Sequence, residues 1–357
     1  MPTYQPGKNI HQIKKGQNKA SIAKLNSNEL TYPPAPSITQ TLNNNIKILP
    51  YYPDDSATTL RNKIAEINNI NSHNILITAG SSEAIALSIS ACTRENDEVI
   101  TSTHAFQLYK ISTDQQNRKL ILVDETKEWS QNLQGILDKI SQKTQLIFIS
   151  NPSNPLGTWI KHDLLMDFLR RVPKHITVVI DEAYFEFMEH EDFQSTSHLI
   201  DTFPNILITR TFSKLYGLAS LRIGYAIGST AILKKLNAKK LPFSVNSCAI
   251  NCALQTLNEI QYYQGCKHKI ISTRDHLYMQ LSSMGYQPLA NSANFLTIHT
   301  GPNTSSLIAT LEDQSIFIRG LSNYNLNEYI RISIGTTEEI ELFIKHFQQE
   351  VTPIMSQ

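Results

Sequence analysis

The chain has 357 residues, more than a single hydrophobic core usually serves, so a large domain with a smaller companion and a cleft between them is expected. With 41% hydrophobic and 18% charged residues it has the composition of a soluble globular protein, not of a disordered or fibrous one. Lys and Arg number 32 against 31 Asp and Glu, so a formal charge of +1 leaves no overall field to attract nucleic acid or an anionic membrane.

The first 30 or so residues are polar, lack a sustained period of 2 or 3.6, and run into Tyr32-Pro33-Pro34-Ala35-Pro36. They read as an extended arm that packs on something other than its own domain, commonly a partner subunit. The N-terminus has no secretory apolar core, and no apolar run approaches about 18 residues, so a cytoplasmic protein without membrane spans is expected.

From Asn74 onward, short apolar runs (NILIT, EVITS, KLILV, QLIFIS, TVVID, NILITR) alternate with helical patterns such as SSEAIALSISACTR. Such alternation predicts a large α/β domain with a mostly parallel central sheet flanked by helices. After a second helical stretch from roughly Ser244 to Met284 come ANFLTIHT, a helix near SSLIATLED, SIFIRG, YIRISIG and a last helix from Thr337. This predicts a smaller α+β C-terminal domain. The divisions are drawn at 1–30 for the arm, 31–260 for the large domain and 261–357 for the small one.

Cys92, Cys248, Cys252 and Cys266 form no short metal-type pair, which suits a reducing compartment. Cys248 and Cys252, four apart in an expected helix, read as small apolar core residues. His190-Glu191 lacks a second histidine at zincin spacing, and Lys267-His268-Lys269 reads as a solvated helix face, so no catalytic metal is expected.

Polar groups gather where the apolar strands end, and in an open parallel sheet those ends converge on the ligand site. After NILIT, Ala79-Gly80-Ser81-Ser82-Glu83 opens a helix with free N–H groups and two hydroxyls, which serves equally as a phosphate cradle or an ordinary N-cap. After QLIFIS, Asn151-Pro152-Ser153-Asn154-Pro155-Leu156-Gly157 makes a rigid turn able to aim an amide. After TVVI, Asp181-Glu182-Ala183-Tyr184 puts a carboxylate where burial demands a cation, either an arginine or a protonated pyridine. After NILITR come Thr211-Phe212-Ser213-Lys214 and then Gly217-Leu218-Ala219-Ser220-Leu221-Arg222-Ile223-Gly224, with a lysine, the side chain that forms Schiff bases once its pKa is lowered.

In this order and spacing the quartet NPSNPLG, DEAY, TFSK and GLASLRIGY resembles the fold-type I pyridoxal-phosphate aminotransferases. YQPGK, LNSNE, YYPD, IRG and YIRISIGT narrow the likeness to the histidinol-phosphate aminotransferases over nearly the whole chain. The resemblance implies a pyridoxal 5'-phosphate enzyme that exchanges the amino group between L-histidinol phosphate and 2-oxoglutarate, giving imidazole-acetol phosphate and L-glutamate in histidine biosynthesis. It implies that Lys214 forms the Schiff base and moves the proton, that Asp181 pairs with the ring nitrogen, and that Asn154 and Tyr184 bond the 3′ oxygen. Phe106 would stack on the ring. Ser81, Ser82, Ser213 and Arg222 would hold the phosphate, with Tyr52 reaching it from the neighbouring subunit of a homodimer. Arg331, helped by Arg319, Tyr4 and Asn26, would receive the substrate anions.

Three positions depart from the family pattern: Leu156 for threonine, His104 for proline, and Leu30-Thr31 for Asn-Pro. Two lie near the expected substrate entrance, which keeps an aromatic or broad-range aminotransferase and the threonine-phosphate decarboxylase branch as alternatives. A non-enzymatic regulator module is the remote one, since 30 arm residues are too few for a DNA-binding domain.

Overall fold

The computed structural model describes residues 7–16 and 22–355. Its strands are β1 (Ala23–Lys24), β2 (Ile75–Thr78), β3 (Glu98–Ser102), β4 (Lys119–Val123), β5 (Thr144–Ser150), β6 (Thr177–Asp181), β7 (Ile206–Thr211), β8 (Gly224–Gly228), β9 (Phe295–His299), β10 (Ile316–Phe317), β11 (Arg319–Leu321) and β12 (Leu326–Ser333). Seven of them form the central sheet in the order β2-β8-β7-β6-β5-β3-β4. The six apolar runs supply β2 to β7, and β3 to β7 run parallel.

Successive residues of β5 face opposite layers. Leu146 and Phe148 join the core beneath helix Gly80–Cys92, while Ile147 and Ile149 join the larger core on the other side. All four are fully buried, each contributing about 1.5–3 kcal/mol to the hydrophobic driving force, which is why the strand reads as a continuous apolar run.

β8 was not among the expected strands. It lies antiparallel between β2 and β7, and its sequence GYAIG carries glycine at both ends. At Gly224 a Cβ would lie 2.6 Å from both the Arg210 carbonyl oxygen and the Ser81 nitrogen. Only glycine lets this strand pass so close to the start of helix Gly80–Cys92, and that approach shapes one wall of the site.

The smaller sheet is antiparallel in the order β11-β12-β9. SIFIRG, expected as one strand, divides at Ile318: Phe317 pairs with Lys24 in a two-stranded parallel sheet, and Arg319 pairs with Arg331 in the three-stranded one. For residues 23–25 the surface is supplied by the small C-terminal part of the same chain, where a partner subunit is the commoner support for such an arm. Residues 10–16 are helical, Ala23 and Leu25 are fully buried in the chain's own core, and Ser333 donates its N–H to the Leu25 carbonyl at 2.9 Å. The segment is polar in sequence because its burial rests on backbone pairing with β10 and β12 and on only a few apolar side chains.

Cys252 and Cys266 are buried, Cys92 and Cys248 half-buried, and all four are free thiols. Among the described residues no helix is long and apolar enough to cross a membrane.

Beside Asp181, Glu182 has a structural task. Its Oε2 accepts from Arg210 Nε at 2.9 Å and Nη2 at 2.8 Å, and its Oε1 accepts from the Thr196 N–H at 2.7 Å, with both charges nearly inaccessible to water. Glu182→Gln strands the guanidinium without a counter-ion, so the stability read from urea denaturation is expected to fall by about 2–3 kcal/mol.

Candidate active site

β5, β6 and β7 are in register at their carboxyl ends, where Ser150 pairs with Asp181 and Asp181 with Thr209. The Asp181 carboxylate, 4% exposed, accepts from Tyr109 Oη at 2.7 Å and from Thr209 Oγ1 at 3.0 Å. Burial pushes its pKa up, while these two hydroxyls, the Ala183 N–H and the Lys214 charge oppose the rise. Tyr109 is fully buried and lies flat on Phe148, centroids 4.5 Å apart. Burial first and the Asp181 charge second hold its phenol far above the usual tyrosine range, so it remains a donor. Tyr109 was not anticipated from sequence.

Tyr109→Phe removes one of the two hydroxyls that keep Asp181 ionised. The Asp181 pKa then rises further, so the carboxylate is protonated at a higher pH. The acid limb of the kcat profile is expected to move upward and kcat below neutrality to fall about tenfold, as steady-state assays across pH would show.

The same cavity is lined by a second group of residues whose chemistry suits an anion. Helix Gly80–Cys92 starts without a side-chain cap, leaving its first N–H groups and the positive end of its dipole directed at the cavity. Gly80 has φ +75°, and a Cβ there would meet Arg222 Nη2 at 2.6 Å, so the glycine makes room for the guanidinium. Arg222 itself has φ 54°, and its Nη1 donates to the Ala219 carbonyl at 3.0 Å and to Ser213 Oγ at 3.4 Å. Ser81 and Ser82 border the same space, and Ser213 is held by its N–H to Thr211 Oγ1 at 3.1 Å.

The cavity is also lined by Lys214, Tyr184 and Arg331, from three distant parts of the chain. Lys214 Nζ stands 3.5 Å from the Ser27 carbonyl and 5.4 Å from the Tyr184 ring centre. Tyr184 Oη accepts from Asn28 Nδ2 at 3.1 Å. Arg331, 6% exposed, donates through Nη1 to Asn154 Oδ1 at 2.5 Å and through Nη2 to the Asn26 carbonyl at 3.1 Å, while its buried Nε has no partner among the described residues. Among the described residues it forms no ion pair with a carboxylate, and its cross-strand neighbour is a second arginine, Arg319. Two like charges directly opposite on a sheet repel, and a buried guanidinium calls for an anion, so the chemistry of this wall suits a bound anion.

The cavity encloses about 380 Å3. It brings together Asn26, Ser81, Ser82, Phe106, Asn154, Asp181, Tyr184, Ser213, Lys214, Arg222, Arg319 and Arg331, twelve of the fourteen residues singled out from sequence. Phe106 meets Tyr109 edge-on at 5.8 Å. Tyr52 is not in the cavity: it is 82% exposed and stacks on Phe243 at 4.6 Å. Tyr4 lies outside the described residues. Beyond Tyr109, sequence reading left Asn28 without a role, although it stands inside the LNSNE motif.

The chain matches the family model for aminotransferase class I and II over residues 20–347. It is 32% identical to histidinol-phosphate aminotransferase 1 of Idiomarina loihiensis over 96% of this chain and 93% of that one. It is 33% identical to the histidinol-phosphate aminotransferase of Desulfotalea psychrophila over 96% and 91% of the two chains. Among solved structures, the histidinol-phosphate aminotransferase of Sinorhizobium meliloti in complex with pyridoxal-5'-phosphate superposes with a TM-score of 0.90 at 24% identity, covering 99% of this chain and 96% of that one.

Proposed function

The chain belongs to the aminotransferase class I and II family, and within it we propose that the protein exchanges the amino group between L-histidinol phosphate and 2-oxoglutarate. The observation that carries the substrate reading is the Arg331–Arg319 pair, cross-strand neighbours on β12 and β11 that both line the cavity. One cationic wall can receive the phosphate of histidinol phosphate in one half-reaction and a carboxylate of 2-oxoglutarate in the other, with Asn26 beside it and Tyr4 in the N-terminal segment as further contacts.

The cofactor is pyridoxal 5'-phosphate, and the residues present fit it. The space kept open at Gly80 beside Arg222 suits a phosphate dianion, and a buried carboxylate whose hydrogen-bond donors among the described residues are neutral hydroxyl and N–H groups suits a protonated ring nitrogen. When bound, the cofactor supplies an electron-accepting ring that stabilises negative charge on the substrate carbon. Ser81, Ser82, Ser213 and Arg222 hold its phosphate. Asp181 keeps the ring nitrogen protonated, Phe106 stacks on the ring face, and Asn154 and Tyr184 bond the ring oxygen. Lys214 anchors the cofactor and carries the proton to and from the substrate carbon.

The exposed apolar residues Ile46, Leu49, Tyr51, Tyr52 and Leu241 support a homodimer in which Tyr52 reaches the partner's phosphate site. Free thiols support a reducing, cytoplasmic setting.

Steady-state assays with 2-oxoglutarate as acceptor test the substrate. The expected result is a kcat/KM for histidinol phosphate at least about 100-fold above that for phenylalanine, because phenylalanine offers Arg331 and Arg319 only a shorter, singly charged carboxylate where histidinol phosphate offers a phosphate dianion. Equal or better use of phenylalanine would leave the amino-transfer chemistry and overturn the substrate.

A further inference from the structure

One hydrogen-bond chain behind Tyr184 has a fixed polarity. The backbone N–H of Asn28 donates to Ser333 Oγ at 2.7 Å, and a backbone N–H can only donate. The Ser333 oxygen therefore accepts there, and its hydrogen goes to Asn28 Oδ1, also at 2.7 Å. With the amide oxygen committed to Ser333, the amide nitrogen must face Tyr184, and Nδ2 donates to the phenol oxygen at 3.1 Å. Tyr184 thus accepts from Asn28, and its own hydrogen is left for another acceptor. Among the described residues no protein group takes it, and the side chain borders the cavity.

We propose that Asn28 is a positioning residue that fixes the direction of the Tyr184 hydroxyl and aims its hydrogen at the ring oxygen of the cofactor. The proposal rests on the reading that Tyr184 faces that oxygen. Asn28 is buried and held in the left-handed region at φ 54°, a conformation that asparagine adopts more readily than most residues, and Asn294 Nδ2 donates to its carbonyl at 3.1 Å. The chain joins the N-terminal segment, β12 and the turn after β6. The orientation of one hydrogen at the cofactor therefore depends on the N-terminal segment being seated on the small sheet.

The test is a spectrophotometric pH titration of the cofactor-loaded protein. A donor on the ring oxygen withdraws electron density from it and weakens its hold on the proton shared with the neighbouring nitrogen. Loss of the donor raises the pH at which the chromophore gives up that proton. Tyr184→Phe is expected to raise this pKa by about one unit. Asn28→Asp, whose carboxylate takes the hydrogen from Tyr184 instead of donating to its oxygen, is expected to raise it by a similar amount. In the Tyr184→Phe background the Asn28→Asp change is expected to add nothing. Asn28→Gly, which keeps the left-handed backbone, and Ser333→Ala, which unlocks the amide, are expected to give smaller rises, and both remain informative if Asn28→Asp does not fold.

A titration unchanged by Asn28→Asp, Asn28→Gly and Ser333→Ala, with Tyr184→Phe shifted, overturns the proposal. So does an Asn28→Asp shift that persists in the Tyr184→Phe background, which marks a through-space charge effect. No shift in Tyr184→Phe itself overturns the placement of Tyr184 against the ring oxygen, and this proposal with it.

Discussion

Lys214→Ala is expected to slow amino transfer from glutamate by about 10^4-fold or more, measured as single-turnover conversion of the cofactor chromophore. Lys214 sits in the turn that follows β7, with Nζ within 3.5 Å of the Ser27 carbonyl and the Asp181 carboxylate in its electrostatic reach. It shares a cavity with Arg222, Arg319 and Arg331, so removing one cation relieves repulsion, and thermal stability is expected to hold. Lys214→Arg distinguishes charge from base: a guanidinium stays protonated at any working pH and cannot accept the substrate proton, so this variant is expected to be as slow as the alanine one. Small primary amines added to Lys214→Ala are expected to restore part of the rate, because they fit the vacated space and supply the missing base. Turnover above a tenth of the wild-type rate in Lys214→Ala without added amine would remove Lys214 from the chemistry.

The features that were legible in sequence are those whose cause is local. β5, β6 and β7 are buried on both faces and must be apolar along their length, so they announce themselves, and Asp181 and Lys214 announce themselves by interrupting or following such runs. β8 is hidden because its glycines exist for a close approach to Ser81 and Arg210, a reason that appears only once the neighbouring elements are in place. The seating of residues 23–28 is hidden for a similar reason, since backbone pairing with β10 and β12 leaves little pattern in the side chains. Tyr109 and Asn28 meet their partners, Asp181 and Tyr184, across 72 and 156 residues. No periodicity spans such distances. Tyr109 could have been flagged by its place one helical turn after Phe106, on the face that helix Gln107–Gln115 turns toward the sheet.

Arg331→Met is expected to lower kcat/KM for histidinol phosphate and for glutamate by about 10^3-fold each, without lowering thermal stability. The magnitude follows from losing a desolvated, charge-assisted contact to an anion, about 4 kcal/mol at 1.4 kcal/mol per tenfold. The unusual part is the stability. Arg331 is 6% exposed, yet among the described residues its guanidinium has only the neutral Asn154 side chain and Asn26 carbonyl as hydrogen-bond partners, its Nε has none, and Arg319 is its cross-strand neighbour. Neutral acceptors offset only part of the desolvation of a cation, so a methionine of similar length is expected to be tolerated or mildly stabilising in the absence of substrate. Arg331→Lys keeps the charge but not the two-pronged geometry, and is expected to recover about tenfold of the loss. A variant that melts well below the wild type while its folded fraction turns over normally would make Arg331 a structural residue. A loss confined to one substrate would mean that the two anions are held separately, with Arg319 as the receptor for the one that is spared.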